Sequence, residues 1–202
     1  MERHDLASAE PGPTRLMLGG IHGREWRTTA PILRALAKEG PPLSGKVVVV
    51  PRLSRAGSKY LSTLAGEYYG TEEGREMLSL ISELRPRIYV ELHCYKRSAY
   101  EALTDPGRMR VKGVPPFVDL GGGLLVGSVS KRVLPCLENR MGITLEVPCR
   151  LGKKGEVMEA LRVLRDSTSV QEALREFAAA CPMEIGRAVR LYKEWVGHAI
   201  GL

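Results

Sequence analysis

Residues 14–26, TRLMLGGIHGREW, decide how this chain is read. Residues 14–20, TRLMLGG, are a short apolar run ending in glycines, the pattern of a buried strand leaving a sheet. After Trp26 the residues Ile32, Leu33, Leu36 and Ala37 recur at the spacing of one helical face, so a helix is expected over 26–38, ended by Gly40-Pro41-Pro42. Residues 46–51, KVVVVP, are β-branched without interruption, as in a strand covered on both faces. Strand, helix and strand together make a βαβ unit.

The same alternation continues outward. Residues 71–84 carry Met77, Leu80, Ile81 and Leu84 on one side behind Thr71 as N-cap, predicting a helix. PRIYVELHC, 86–94, reads as the next strand. Between 95 and 116 the pattern dissolves into charge, Gly and Pro, the composition of a functional loop over one end of a sheet. A strand follows the Gly121-Gly122-Gly123 run within 117–130, and MGITLEV, 141–147, is the last clear one. Helical patterns then occupy 157–165, 170–180 and 183–199. The expected fold is α/β: a three-layer α/β/α sandwich around a mixed, largely parallel sheet. A single domain is expected over 1–202, with its core at about 14–148 and the helices of about 155–200 packed on it.

Composition narrows the function classes. With 202 residues and 44% apolar content the chain can bury roughly 70% of its unfolded surface and needs no metal or disulfide merely to fold. The net charge of +7 suits an anionic substrate. Only 5% of residues are aromatic and none interleave with basic runs, so nucleic-acid binding ranks last; the basic clusters are 108–112 and 153–154. No apolar run reaches about 18 residues and the first residues lack a signal-peptide core, so no membrane association and a cytoplasmic protein are expected. A single Asn (Asn139) and a single Gln (Gln171) are a thermophile signature. Cys94, Cys136, Cys149 and Cys181 contain no CxxC pair; buried free thiols are expected, with a disulfide left open by that thermophile signature.

The chemistry concentrates on a few side chains. His22 follows the first strand with Glu25 three residues on, and Gly19, Gly20 and Gly23 free the backbone to turn both inward. His93 ends a different strand, and groups that gather at carboxyl ends of strands are those an open α/β sheet uses. Two imidazoles and a carboxylate are the protein ligands of a catalytic Zn²⁺, and equally the facial triad of non-haem iron. The alternative is a turn-capping His22 and a hydrogen-bonded core His93. Glu146 shares a face with Thr144, opposite Ile143, Leu145 and Val147, which plants a carboxylate in an apolar strand. Beside an activated water it would act as general base; alone it would be half of an ion pair. Glu91 is two residues from His93 on the same face, placed to orient a ligand or to form a structural pair. Cys94 faces the other way, which excludes a Cys-His dyad with His93, and GxSxG, Walker and GxGxxG motifs are absent.

In order, GGIHGREW, ELH and TLEV resemble the zinc carboxypeptidase superfamily, nearest its succinylglutamate desuccinylase and aspartoacylase branch, and a family of uncharacterised archaeal proteins related to that branch. The resemblance covers roughly residues 15–148. It implies the phosphorylase/hydrolase-like fold of that superfamily, one Zn²⁺ per chain on His22, Glu25 and His93, and Glu146 as acid/base group. Lys59-Tyr60 stands where relatives carry Arg-Tyr, so Lys59 takes the oxyanion position there, and the Asn-Arg pair that holds a substrate carboxylate has no counterpart. Arg24, Arg52 and Arg55 are the candidates to supply that charge. The leading expectation is a zinc-dependent hydrolase of an amide bond in a small anionic N-acyl amino acid or short peptide. A catalytically degenerate metal- or ligand-binding protein on the same fold comes second, and a basic nucleic-acid-associated protein third.

Overall fold

The computed structural model describes residues 1–138, 140–150 and 154–199, the side chains of 198 and 199 excepted. Its centre is a seven-stranded sheet in the order β1-β3-β2-β4-β7-β6-β5. These strands are β1 (Glu2–Ala7), β2 (Thr14–Gly19), β3 (Lys46–Arg52), β4 (Ile88–Tyr95), β5 (Val118–Asp119), β6 (Leu125–Ser128) and β7 (Met141–Pro148). The four central strands β3, β2, β4 and β7 run parallel, while β1, β6 and β5 join antiparallel at the edges. This is the α/β architecture expected from the alternation of strands and helices.

Period-2 alternation splits each central strand between two cores. Met17, Val47, Val49, Val90, Leu92, Ile143 and Leu145 pack with helices α1 (Trp26–Lys38), α5 (Gly155–Asp166), α6 (Val170–Ala180) and α7 (Pro182–Ala199). Leu16, Leu18, Val48, Val50 and Tyr89 pack on the opposite face with Met77, Leu80 and Ile81 of helix α2 (Glu72–Leu84). Thr71 caps α2 as expected, its hydroxyl accepting from the Gly74 amide at 3.1 Å. Among the described residues no helix is long and apolar enough to cross a membrane.

Three features depart from the sequence expectation. The polar ERHDLA start forms β1, whose edge is blunted by ion pairs of Glu2 with Arg34, Arg3 with Glu83 and Asp5 with Lys46. Residues 96–117 are partly helical, with short helices α3 (Tyr100–Thr104) and α4 (Arg108–Lys112). Cys94 and Cys149 form a disulfide, not two free thiols, whereas Cys136 and Cys181 are free. Lys153 of the 153–154 basic pair and the last residue of the expected helical region of about 155–200 lie outside the described residues.

Chain order fixes where a ligand can bind. From β2 the chain crosses by α1 to β3 on one side, then by α2 to β4 on the other, so the connections diverge at the carboxyl ends of β2 and β4. Such a switch point leaves a crevice there.

Candidate metal centre

The turn leaving β2 passes through Gly20 and Gly23, with φ of 55° and 56°. A Cβ at Gly20 would lie 2.7 Å from the Trp26 Cβ, so this left-handed step needs glycine for space as well as for torsion. The turn then folds back on Glu25. Its Oε1 accepts from the backbone amides of Ile21 (2.6 Å) and His22 (3.1 Å), which fixes the carboxylate and leaves Oε2 pointing to the crevice. Tyr68 steadies the same turn by donating its hydroxyl to the Ile21 carbonyl at 3.2 Å.

Both imidazoles meet that oxygen. His93 Nδ1 lies 3.2 Å and His22 Nδ1 3.6 Å from Glu25 Oε2, with the two rings 5.0 Å apart. One donor atom from each of the three residues falls within 4.8 Å of the others. His22 Nδ1 is buried without a hydrogen-bond partner, the state of a nitrogen reserved for a ligand. On the far side of the His93 ring Nε2 donates to Glu91 Oε2 at 3.1 Å, and Tyr89 donates its hydroxyl to Glu91 Oε1 at 3.0 Å. With a cation bound, this chain would keep the proton on Nε2 and leave the Nδ1 lone pair for the metal, the arrangement carboxylate–histidine pairs use to present a metal ligand. The donor set therefore fits a divalent cation.

Without a metal the two imidazoles differ in charge. Burial pushes His22 down to about 4, only partly opposed by Glu25, so it offers a neutral ring. Burial would also lower His93, but the charge of Glu25 and hydrogen bonds to Glu25 and Glu91 outweigh it and hold His93 above the ordinary histidine range, so that a cation binding at Nδ1 displaces a proton. Glu25 is costly to bury, yet the adjoining imidazoles keep it below the usual carboxylate value.

Glu146 faces His93 directly across the β4–β7 register. Burial raises its carboxyl to about 7, and its Oε2 is buried without a hydrogen-bond partner. A carboxyl poised near neutrality is matched to proton transfer. These groups open into a cavity of about 690 Å³, walled also by Tyr60, Arg108, Phe117, Ser130 and Thr144. Tyr60 stands exposed at the mouth with its ring 4.6 Å from that of His22.

The structure brings together His22, Glu25, Glu91, His93 and Glu146, with Arg24 exposed at the rim. It does not bring Lys59, Arg52 or Arg55 to the cavity. Lys59 is exposed and its neighbour Tyr60 occupies the wall instead. Arg52 stacks on Trp26 at 4.3 Å and donates to the Ser54 carbonyl, and Arg55 pairs with Glu72. Tyr89 and Arg108 were not anticipated. Tyr89 is signalled by the i, i+2, i+4 series Tyr89, Glu91, His93; nothing local signals Arg108, which arrives on α4 from a distant loop.

Among proteins of known sequence, the family described as uncharacterized protein conserved in archaea (DUF2119) matches residues 10–197. The uncharacterized protein MJ0501 of Methanocaldococcus jannaschii is 32% identical over 193 residues, covering 91% of this chain and 92% of its own. Among solved structures, an aspartoacylase family protein from Mesorhizobium loti aligns with TM-score 0.47 and 13% identity over 88% of this chain and 60% of its own. The product-bound cell shape determinant protein Csd4 of Helicobacter pylori aligns with TM-score 0.33 and 25% identity over 50% of this chain. The chain spans 60% of the length of the first of these structures and 29% of the second. The match over residues 10–197 means that the chain belongs to the archaeal DUF2119 family.

Proposed function

We propose that this protein is a zinc-dependent hydrolase that cleaves an amide bond in a small anionic N-acyl amino acid or short peptide. One observation carries the reading: two imidazole nitrogens and a carboxylate oxygen converge within 4.8 Å, with a fourth group, the carboxyl of Glu146, in register with His93. His22 Nδ1, His93 Nδ1 and Glu25 Oε2 would hold the ion. Zinc bound there supplies a Lewis acid that polarises a carbonyl and acidifies water.

The remaining work belongs to the chain's own groups. Glu91 and Tyr89 keep His93 in one orientation and tautomer. Glu146 Oε2 takes a proton from the attacking water and returns it to the departing nitrogen, a role that its carboxyl near 7 allows in both directions. Tyr60 and Phe117 give the crevice apolar walls beside these groups.

Metal analysis and turnover together test the proposal. Wild type should hold one zinc per chain, and the His22→Ala, His93→Ala double variant none. Glu146→Gln should retain the zinc and lose about 10²- to 10⁴-fold in hydrolysis across a panel of N-acyl amino acids and short peptides. Wild type that cannot be loaded with zinc, or a fully active Glu146→Gln protein, would overturn the assignment.

A further inference from the structure

Arg15 and Arg108 are both at least partly withdrawn from solvent, and they are treated differently. Arg15 is fully buried and enclosed by carbonyls, its guanidinium donating to Ser167, Ser44 and Pro13. Its donors are spent on holding loops together. Arg108, half-buried in the wall of the metal crevice, makes one such bond, from Nη1 to the Pro115 carbonyl at 2.7 Å. Its guanidinium lies over the Phe117 ring at 4.9 Å, so one face is covered by an apolar platform. Both contacts come from its own segment, so they aim the side chain without using the Nε and Nη2 donors.

No carboxylate within ion-pair distance claims Arg108 among the described residues. Glu146 lies near enough to feel its charge, but the two form no ion pair, and Glu146 Oε2 is itself without a hydrogen-bond partner. A cation and a carboxylate thus line one cavity without bonding each other. Arg24, Arg27, Lys96 and Arg150 also line it, all exposed and none in an ion pair among the described residues. Arg108 differs from them in being held inside, beside the group assigned to proton transfer.

We propose that Arg108 is the specificity-determining residue of the site and binds a carboxylate of the substrate through its free guanidinium edge. A forked guanidinium on an apolar shelf suits a planar anion, and a site with one interior cation among the described residues favours a substrate with a single carboxylate close to the scissile amide. The inference rests on the hydrolase reading for the word substrate, but the anion site itself does not depend on turnover.

The test is equilibrium binding by calorimetry, with N-acetylglycine and its neutral counterpart N-acetylglycinamide as probes, on zinc-loaded and on zinc-free protein. Wild type should prefer the carboxylate by roughly ten- to a hundredfold in both forms. Arg108→Gln should abolish that preference while leaving zinc content and N-acetylglycinamide binding unchanged, which also shows that the cavity remains folded. Arg108→Lys should recover part of the preference, as a point charge without the fork. An unchanged preference in Arg108→Gln, or none in wild type, would overturn the proposal. Should Glu146→Gln prove fully active while the Arg108-dependent preference persists, the hydrolase assignment fails and the anion site stands.

Discussion

Ile88, Val90 and Leu92 sink into the apolar layer beneath α1 and α5–α7, whereas Tyr89, Glu91 and His93, one residue out of phase on the same strand, form a hydrogen-bonded line on the other face. Strand β7 repeats the division, with Ile143, Leu145 and Val147 to one side and Thr144 and Glu146 to the other. The apolar face tolerates nothing that needs a partner. The polar face meets much of that need from within, while at the crevice His22 Nδ1 and Glu146 Oε2 stand without a hydrogen-bond partner. Stability and chemistry are thus separated by a half-turn of one strand, and substitutions on the two faces should fail in different ways.

The largest effect belongs to the apolar side. Leu92→Ala removes a fully buried side chain and should cost about 2–5 kcal/mol in chemical denaturation, with zinc affinity of the folded protein unchanged. Loss of metal binding in folded Leu92→Ala would break the separation.

Glu146 should show the opposite sign. In the metal-free protein its folded value of about 7 exceeds the ordinary 4.5, so the folded state holds a proton that the unfolded state has released across that interval. Its stabilising contribution is complete below 4.5, declines as pH rises, and is gone above 7. Relative to Glu146→Gln, wild type should therefore lose up to about 3 kcal/mol between pH 4.5 and 7, measured as the difference between two denaturation series. A pH-independent difference would remove the carboxyl from its buried setting.

Glu91→Gln should have the smallest effect and sharpen the comparison most. It keeps the shape but weakens the hold on His93 Nε2, so zinc affinity should fall about 10- to 100-fold in a chelator competition with little change in unfolding. A variant that unfolds before it loses zinc would place Glu91 with the structural residues.

What could be read from the sequence follows the same division. The βαβ unit and the strands bearing His93 and Glu146 were legible because continuous apolar runs and period-2 alternation are local properties. The His22, Glu25 and His93 set was legible because glycines, spacing and a strand end lie within short segments. β1 was not, since an edge strand held by ion pairs shows no apolar pattern. The Cys94–Cys149 pairing was hidden because parallel register, not sequence, brings position 147 opposite Cys94 and Cys149 beside Tyr95. Arg108 was read as part of a basic cluster, and only the path of the loop turns it inward.

That disulfide bears on how the site assembles. It clasps the chain into a ring across a sequence separation of 55, and the ring contains Arg108, β5 and β6. Its clasp lies one residue after His93 and three after Glu146. An unfolded chain that keeps the bond still carries those two groups as neighbours, at a saving of about 4 kcal/mol in chain entropy by the loop-closure relation. The metal side and the proton-transfer side of the crevice need not find each other through diffusion, and the segment that bears Arg108 remains anchored at both ends to the crevice it lines.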